Sequence, residues 1–307
     1  METWTITRLL DWTTDHFNKL NIAWPHLEAE ILLAHCLGLK RIELYTNHAR
    51  ILTQDELTKY KSLIERRGKR EPIAYITNNK QFMSLDFYVD RSVLIPRPET
   101  EQLVEIIIET IKSTLIPNPY PLIADIGTGS GCIAISLAKY LPNIRVIGID
   151  SSLAAIKIAQ NNAECHQVSD RCEFVEGDMF EILNGGLKTS ATYEKTDVAA
   201  TFRSPFNLIV SNPPYIPTAD IDKLDSDVKD WEPRQALDGG KDGLDHIKKL
   251  IAEAPDHLNP KGLLLIEIGF DQGEKVKSLT ANNKNFSISE ILKDLNGHNR
   301  IFKVRAI

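Results

Sequence analysis

Asp125-Ile126-Gly127-Thr128-Gly129-Ser130-Gly131 ends one apolar run, LIADI, and opens another, CIAISLA. The first run has the length of a buried strand and the second reads as a helix. Glycines at alternate positions let the backbone turn sharply and approach a ligand, and the helix that follows presents free N–H groups. The spacing places one residue before the last glycine, where the dinucleotide fingerprint has two, so a dehydrogenase is the least supported reading. Asp150 ends the next predicted strand, RVIGID, nineteen residues after Gly131. A carboxylate there can accept both hydrogen bonds of a ribose diol. A nucleoside cofactor is therefore expected on the loop Gly127 to Gly131, with Thr128 and Ser130 among its contacts. Asp125 either orients this loop or meets the cofactor's amino-acid portion. Asp178, in EGDMF, ends the third strand, where an adenine edge can lie, although a plain turn acid explains it equally well.

Outward from this turn, strand and helix alternate. Strands are expected at LIADIG, RVIGID, CEFVEGD, FNLIVSN and GLLLIEIG, with helices after Gly131, Ser151 and Asp242. This alternation predicts an α/β fold: a parallel sheet covered on both faces, with ligands at the carboxyl ends of its strands. FSISEILKDL and NRIFKVRAI add two closing strands about a turn at Asn296-Gly297, making a mostly parallel sheet of seven. The polar stretch Asn184 to Ser204 lacks apolar periodicity and is expected to be a surface insertion.

Before the sheet, the sequence changes character. Residues 1–72 predict a small helical bundle. Ile6, Leu9, Leu10, Phe17 and Leu20 recur near helical spacing, Pro25 suits a first helical position, and Thr53 with Glu56 forms a capping box. The basic run Arg66, Arg67, Lys69, Arg70 reads as a solvated helix C-terminus. Residues 73–92 read as a hairpin linker, with IAYI and QFMSLDFYV as strands about Asn78 and Asn79. Residues 93–307 form the α/β domain, opened by a helix over Glu99 to Ile111.

The second informative segment is Asn212-Pro213-Pro214-Tyr215, at the end of FNLIVS. An amide nitrogen is a poor nucleophile because its lone pair is delocalised. A site that accepts both of its N–H protons from outside the amide plane favours a lone pair aimed at a sulfonium methyl. The Asn212 side-chain oxygen and the Pro213 carbonyl can accept those two bonds. The prolines fix the loop in advance, and Tyr215 can pack on the flat face of the target. The residues thus point to methyl transfer onto a planar nitrogen.

Composition narrows the rest. The 307-residue chain is 42 % hydrophobic and 25 % charged, with a formal charge of −6. That is ordinary globular composition and argues against sequence-independent nucleic-acid binding. Four cysteines (Cys36, Cys132, Cys165, Cys172) lack zinc-type spacing and read as reduced thiols. Eight histidines form no ligand-spaced cluster, and no metal is expected. No signal peptide or membrane span is expected, which makes the reading cytoplasmic.

The sequence resembles the HemK family of glutamine N5-methyltransferases over nearly its whole length. The resemblance is carried by LIPRPETE (Leu94 to Glu101), DIGTGSG, SNPPY, EPRQALDGGKDGL (Glu232 to Leu244), IEIGFDQG (Ile266 to Gly273) and KDLNGHNR (Lys293 to Arg300). It implies a Rossmann-like class I methyltransferase domain using S-adenosyl-L-methionine. It also implies as substrate the glutamine of a Gly-Gly-Gln motif in class-1 peptide chain release factors. A monomer without direct nucleic-acid contact is expected. By position, Gly127 to Gly131, Asp150, Met179 and Asn212 line the cofactor site, and Asn212 to Tyr215 hold the glutamine. Relatives often carry tryptophan where Met179 stands, so stacking on adenine weakens. Arg97 and Glu99 either shape the site entrance or form a salt-bridged helix start. Glu232 and Asp238 either cover the substrate or serve as turn residues. The NPPY segment is shared with adenine-N6 and cytosine-N4 DNA methyltransferases, which makes a nucleic-acid adenine methyltransferase the runner-up. A non-catalytic cofactor-binding scaffold is the alternative of another class.

Overall fold

The computed structural model describes residues 3–113, 120–181, 205–281, 283–287 and 289–307. The Asn184 to Ser204 stretch lies outside them. The chain forms two compact units: Met1–Asn79 joined by Asp225–Trp231, and Lys80–Leu224 joined by Glu232–Ile307.

The first unit holds helices α1 (Ile6–Lys19), α2 (Pro25–Leu37), α3 (Arg41–Thr46), α4 (Gln54–Gly68) and α5 (Ile73–Thr77). Thr5 caps α1 by accepting from the Arg8 amide, and α2 starts at Pro25 and stops at Gly38 in the left-handed region. The capping box of α4 is complete: Glu56 N donates to Thr53 Oγ1 at 3.3 Å and Thr53 N donates to Glu56 Oε2 at 2.9 Å. Inward faces meet in one core that includes Ile6, Phe17, Leu32, Leu44 and Tyr60. Each such side chain contributes about 1.5–3 kcal/mol by leaving water.

Two sequence expectations fail here. Arg67 is not solvated but 3 % exposed. It donates from Nε to Glu28 Oε2 at 2.5 Å, from Nη2 to Asp227 Oδ2 at 2.7 Å and from Nη1 to the Glu71 carbonyl at 3.3 Å. Arg66 is engaged as well, with a two-pronged pair to Glu71 at 2.8 and 2.6 Å. IAYI, expected as a strand, forms α5 after Pro72, and Asn78 (φ +50°) caps its C-terminus. The hairpin comes later, as β1 (Lys80–Phe82) and β2 (Leu85–Phe87), turning at Met83 and Ser84. A four-residue apolar run carries no periodicity that separates strand from helix.

The second unit is built on a seven-stranded sheet. Its strands are β3 (Leu122–Ile126), β4 (Arg145–Asp150), β5 (Cys172–Glu176), β6 (Phe206–Ser211), β7 (Leu258–Glu267), β8 (Glu290–Lys293) and β9 (Asn299–Arg305). Their order is β5-β4-β3-β6-β7-β9-β8, and β9 runs against its neighbours. Alternate residues face opposite cores. Ile123, Leu208 and Leu265 pack with α6 (Pro98–Lys112), α7 (Cys132–Tyr140) and α8 (Leu153–Cys165). Ala124, Ile209 and Leu264 pack with α9 (Asp245–His257) and α10 (Gly273–Ala281). Burial on both faces explains why these strands read as continuous apolar runs. The order reverses direction between β3 and β6, so a crevice opens outside their carboxyl ends.

Candidate active site

That crevice is a cleft of about 1150 Å³, part of it open to solvent. It is lined by the turns after β3, β4, β5 and β6 and by the start of α6. The lining brings the glycine loop, Asp150 and the Asn212 turn around one space.

The floor at β3 is the glycine loop. Gly127, Gly129 and Gly131 have φ of +73°, +54° and +79°. A Cβ at Gly127 or Gly129 would stand in open space, and both residues line the cleft. Gly131 does not line it. A Cβ there would meet Ile135 Cδ1 at 2.9 Å and Ala159 Cβ at 3.0 Å, so this glycine lets α7 and α8 close up. Asp125 is fully buried beneath the loop. Its Oδ2 accepts from the Thr128 hydroxyl at 2.7 Å and the Ala134 amide at 3.2 Å, while its Oδ1 is buried with no partner. Burial pushes this carboxyl up to about 7, against those two bonds.

Asp150 lines the cleft and is tied to the turns after β3 and β4. Oδ2 accepts from the Gly129 amide and Oδ1 from the Ser152 amide, both at 2.9 Å. Each oxygen keeps a lone pair for a diol. Asp178 also lines the cleft and pairs with Lys249 at 3.1 Å, and Met179 beside it is buried at φ +49°.

The opposite wall is the end of β6. The Ser211 hydroxyl donates to the Ile126 carbonyl at 2.7 Å and locks the tips of β6 and β3 together. Asn212, Pro213 and Pro214 line the cleft. The Asn212 Nδ2 donates to Thr100 Oγ1 at 3.1 Å, Thr100 donates to Glu267 Oε2 at 2.7 Å, and the Tyr215 hydroxyl donates to Glu267 Oε1 at 3.3 Å. Tyr215 is not among the cleft lining and, partly buried, packs against the core that includes Ile266. Buried Gln272 donates to the Tyr215 carbonyl at 2.9 Å and the Gly243 carbonyl at 3.1 Å, so the loop is held from below.

A family model described as the PrmC N-terminal domain matches residues 8–77, and one described as a methyltransferase domain matches 122–296. The chain is 40 % identical over 302 residues to the release factor glutamine methyltransferase of Rhodopirellula baltica, covering 98 % of this chain and 96 % of that one. It is 42 % identical over 300 residues to the protein of the same name from Geobacter sulfurreducens, with the same coverage. The chain belongs to the release factor glutamine methyltransferase family. It is an S-adenosylmethionine-dependent enzyme with the class I fold, as its sequence led us to expect.

The residues present fit that cofactor. The open sides of Gly127 and Gly129 admit close backbone approach, and Asp150 has lone pairs to spare. The Asp150 carboxylate can take a ribose diol, whereas that of Asp178 is already paired with Lys249. The cleft's arginine, Arg97, is already spent on Glu232, whose Oε1 it reaches at 2.5 Å. Glu232 is buried, its other oxygen accepts from the Ile95 amide at 3.1 Å, and burial raises its pKa despite Arg97.

Of the charged residues with two readings, Arg97 reaches the cleft and also makes the salt bridge. Glu99 is exposed and outside the cleft lining. Glu232 braces the Ile95 to Arg97 segment, and Asp238 accepts from the Thr218 hydroxyl and the Gly240 amide as a turn residue. Sequence reasoning missed Thr100 and Glu267, although both lie inside quoted motifs. Thr100 stands among the charges of PRPETE, where a lone hydroxyl has no spacing that marks it. His246 and Gln235 also line the cleft unheralded. No helix among the described residues is long and apolar enough to cross a membrane.

Proposed function

We propose that this enzyme methylates the side-chain amide nitrogen, N5, of the glutamine in the Gly-Gly-Gln motif of class-1 peptide chain release factors. The observation that carries this reading is the meeting of Asn212-Pro213-Pro214 with the glycine loop in one cleft, across the point where strand order reverses. Bound S-adenosylmethionine supplies the methyl group. The chain's own residues present the acceptor: Asn212 Oδ1 and the Pro213 carbonyl each take one N–H of the substrate amide. Both acceptors sit on a rigid turn, so the lone pair is aimed without further ordering. One of the two N–H protons is released to solvent after transfer, when the nitrogen has become acidic, which leaves the N-methyl amide and needs no strong base at the outset. Gly127, Thr128, Gly129, Ser130, Asp150, Asp178 and Met179 hold the cofactor, with Asp125 shaping the loop from beneath. The N-terminal helices recognise the protein substrate, and the enzyme works in the cytoplasm.

The test is methyl transfer from labelled S-adenosylmethionine to a release factor, to its Gln→Ala form and to duplex DNA, with peptide mass spectrometry locating the label. Label on the Gly-Gly-Gln glutamine, lost in Asn212→Ala, supports the proposal. Label on DNA with none on the release factor rejects it in favour of a nucleic-acid adenine substrate.

A further inference from the structure

We infer that Thr100 and Glu267 are positioning residues that set which way the Asn212 amide faces, and thereby restrict the site to acceptor nitrogens that bring N–H protons. The inference rests on the glutamine reading above and adds to it two residues with no chemistry of their own in the reaction.

A side-chain amide presents an acceptor on one arm and two donors on the other, in nearly the same shape. Turned one way, Asn212 offers the cleft an oxygen that accepts a substrate N–H. Turned the other way, it offers an NH₂ group that opposes the substrate's own NH₂. Packing alone cannot choose between the two, so hydrogen bonds must.

The choice is made by a one-directional chain. Thr100 Oγ1 has a single hydrogen, and that hydrogen goes to Glu267 Oε2 at 2.7 Å. An ionised carboxylate only accepts. Thr100 is therefore left with lone pairs to offer its other neighbour, and the neighbour at 3.1 Å is Asn212 Nδ2. The Asn212 oxygen is thereby assigned to the other arm. Thr100 and Glu267 are 2 % and 1 % exposed, so water does not compete for these bonds. Glu267 Oε1 meanwhile accepts from Tyr215, and one buried carboxylate thus fixes both ends of the Asn212 to Tyr215 turn. Placement supports the same role: Thr100 stands on the first turn of α6 and Glu267 at the last position of β7, both rigid elements.

The deciding variant is Thr100→Val, which keeps the shape and removes the hydroxyl, with Thr100→Ser as the conservative control. Thr100→Val is expected to lower kcat for glutamine methylation about 100-fold, the scale on which a single oriented polar partner acts. Binding of S-adenosylhomocysteine, measured by calorimetry, is expected to stay unchanged, and Thr100→Ser to restore most of the rate. A second readout needs no substrate. The Asn212 side-chain amide signal, identified by its loss in Asn212→Ala, is expected to exchange slowly with solvent in the wild type and in Thr100→Ser, and fast in Thr100→Val. Wild-type kcat in a folded Thr100→Val enzyme, or unaltered exchange of the Asn212 amide, overturns the inference. A wild-type chain that methylates no glutamine rejects the functional reading instead, and the exchange comparison then decides the orientation by itself.

Discussion

Arg67 and Asp227, 160 positions apart in the chain, share a hydrogen bond of 2.7 Å between Nη2 and Oδ2. Glu28 accepts from the same guanidinium, so one buried cation ties α2, α4 and the segment Asp225–Trp231 into the first unit. Arg67→Met leaves Glu28 without this partner and Asp227 with Arg70 at 3.9 Å, and is expected to cost about 3–5 kcal/mol. Asp227→Asn keeps the shape and weakens one bond, at about 1–2 kcal/mol. Denaturant unfolding of the full chain gives the totals, and hydrogen exchange across Gln54–Gly68 locates the loss. Unchanged exchange there in Arg67→Met would show that the guanidinium does not anchor this unit.

Gly127 and Gly131 are expected to separate by what they protect. Gly131→Ala forces a Cβ to within 3.0 Å of two side chains at φ +79°, and is expected to destabilise by about 1–3 kcal/mol. Gly127→Ala meets no neighbour and bears only the backbone strain of a positive φ, about 1 kcal/mol. Its larger effect is expected on affinity for S-adenosylhomocysteine. Melting temperatures and calorimetric titrations of the two variants check the split, and equal stability losses would refute it.

Asp125 makes stability depend on pH in a known direction. Burial raises its folded-state carboxyl from 3.8 to about 7, so the folded protein holds a proton that the unfolded chain releases. That contribution is full below the unfolded value and is lost as pH rises through about 7. Asp125→Asn is expected to flatten the fall in melting temperature between these limits. Glu267 contributes a second component of the same sign, so some slope remains. A variant whose slope matches the wild type would mean that Asp125 does not titrate there.

Glu267 gives a distinct dependence in rate. Burial pushes it up to about 7, opposed by the bonds from Thr100 and Tyr215 and by Arg300, and reinforced by Glu99. Only the carboxylate obliges Thr100 to act as an acceptor toward Asn212. The kcat of methylation is therefore expected to rise with pH through this range. Glu267→Gln is expected to be slow at every pH and to lack the rising limb, whereas Asp125→Asn should keep it. A rising limb that survives Glu267→Gln would assign the titration to another group.

The parallel sheet was legible because each buried strand ends in a distinctive turn, and the glycine loop and Asn212-Pro213 were legible because their residue types serve few other purposes. Other features were hidden for physical reasons. Met83 and Ser84 turn the hairpin at φ of +50° and +58° without the glycine that usually advertises such a turn. Asn78 does adopt the left-handed conformation its type suggests, but as a helix cap. Thr100 and Glu267 are 167 positions apart, and a hydroxyl's partner at that distance leaves no periodic trace.

The return of Asp225–Trp231 to the first unit sets a timetable for synthesis. The helices up to Asn79 leave the ribosome long before Asp227 exists, and Arg67 must wait for it through the making of most of the sheet. At about 5–20 residues per second, that wait is roughly 10–30 seconds. During it the nascent chain holds a cation beside Glu28 with half of its eventual anionic surroundings. The first part of this protein to be made is thus expected to be among the last to reach its final state.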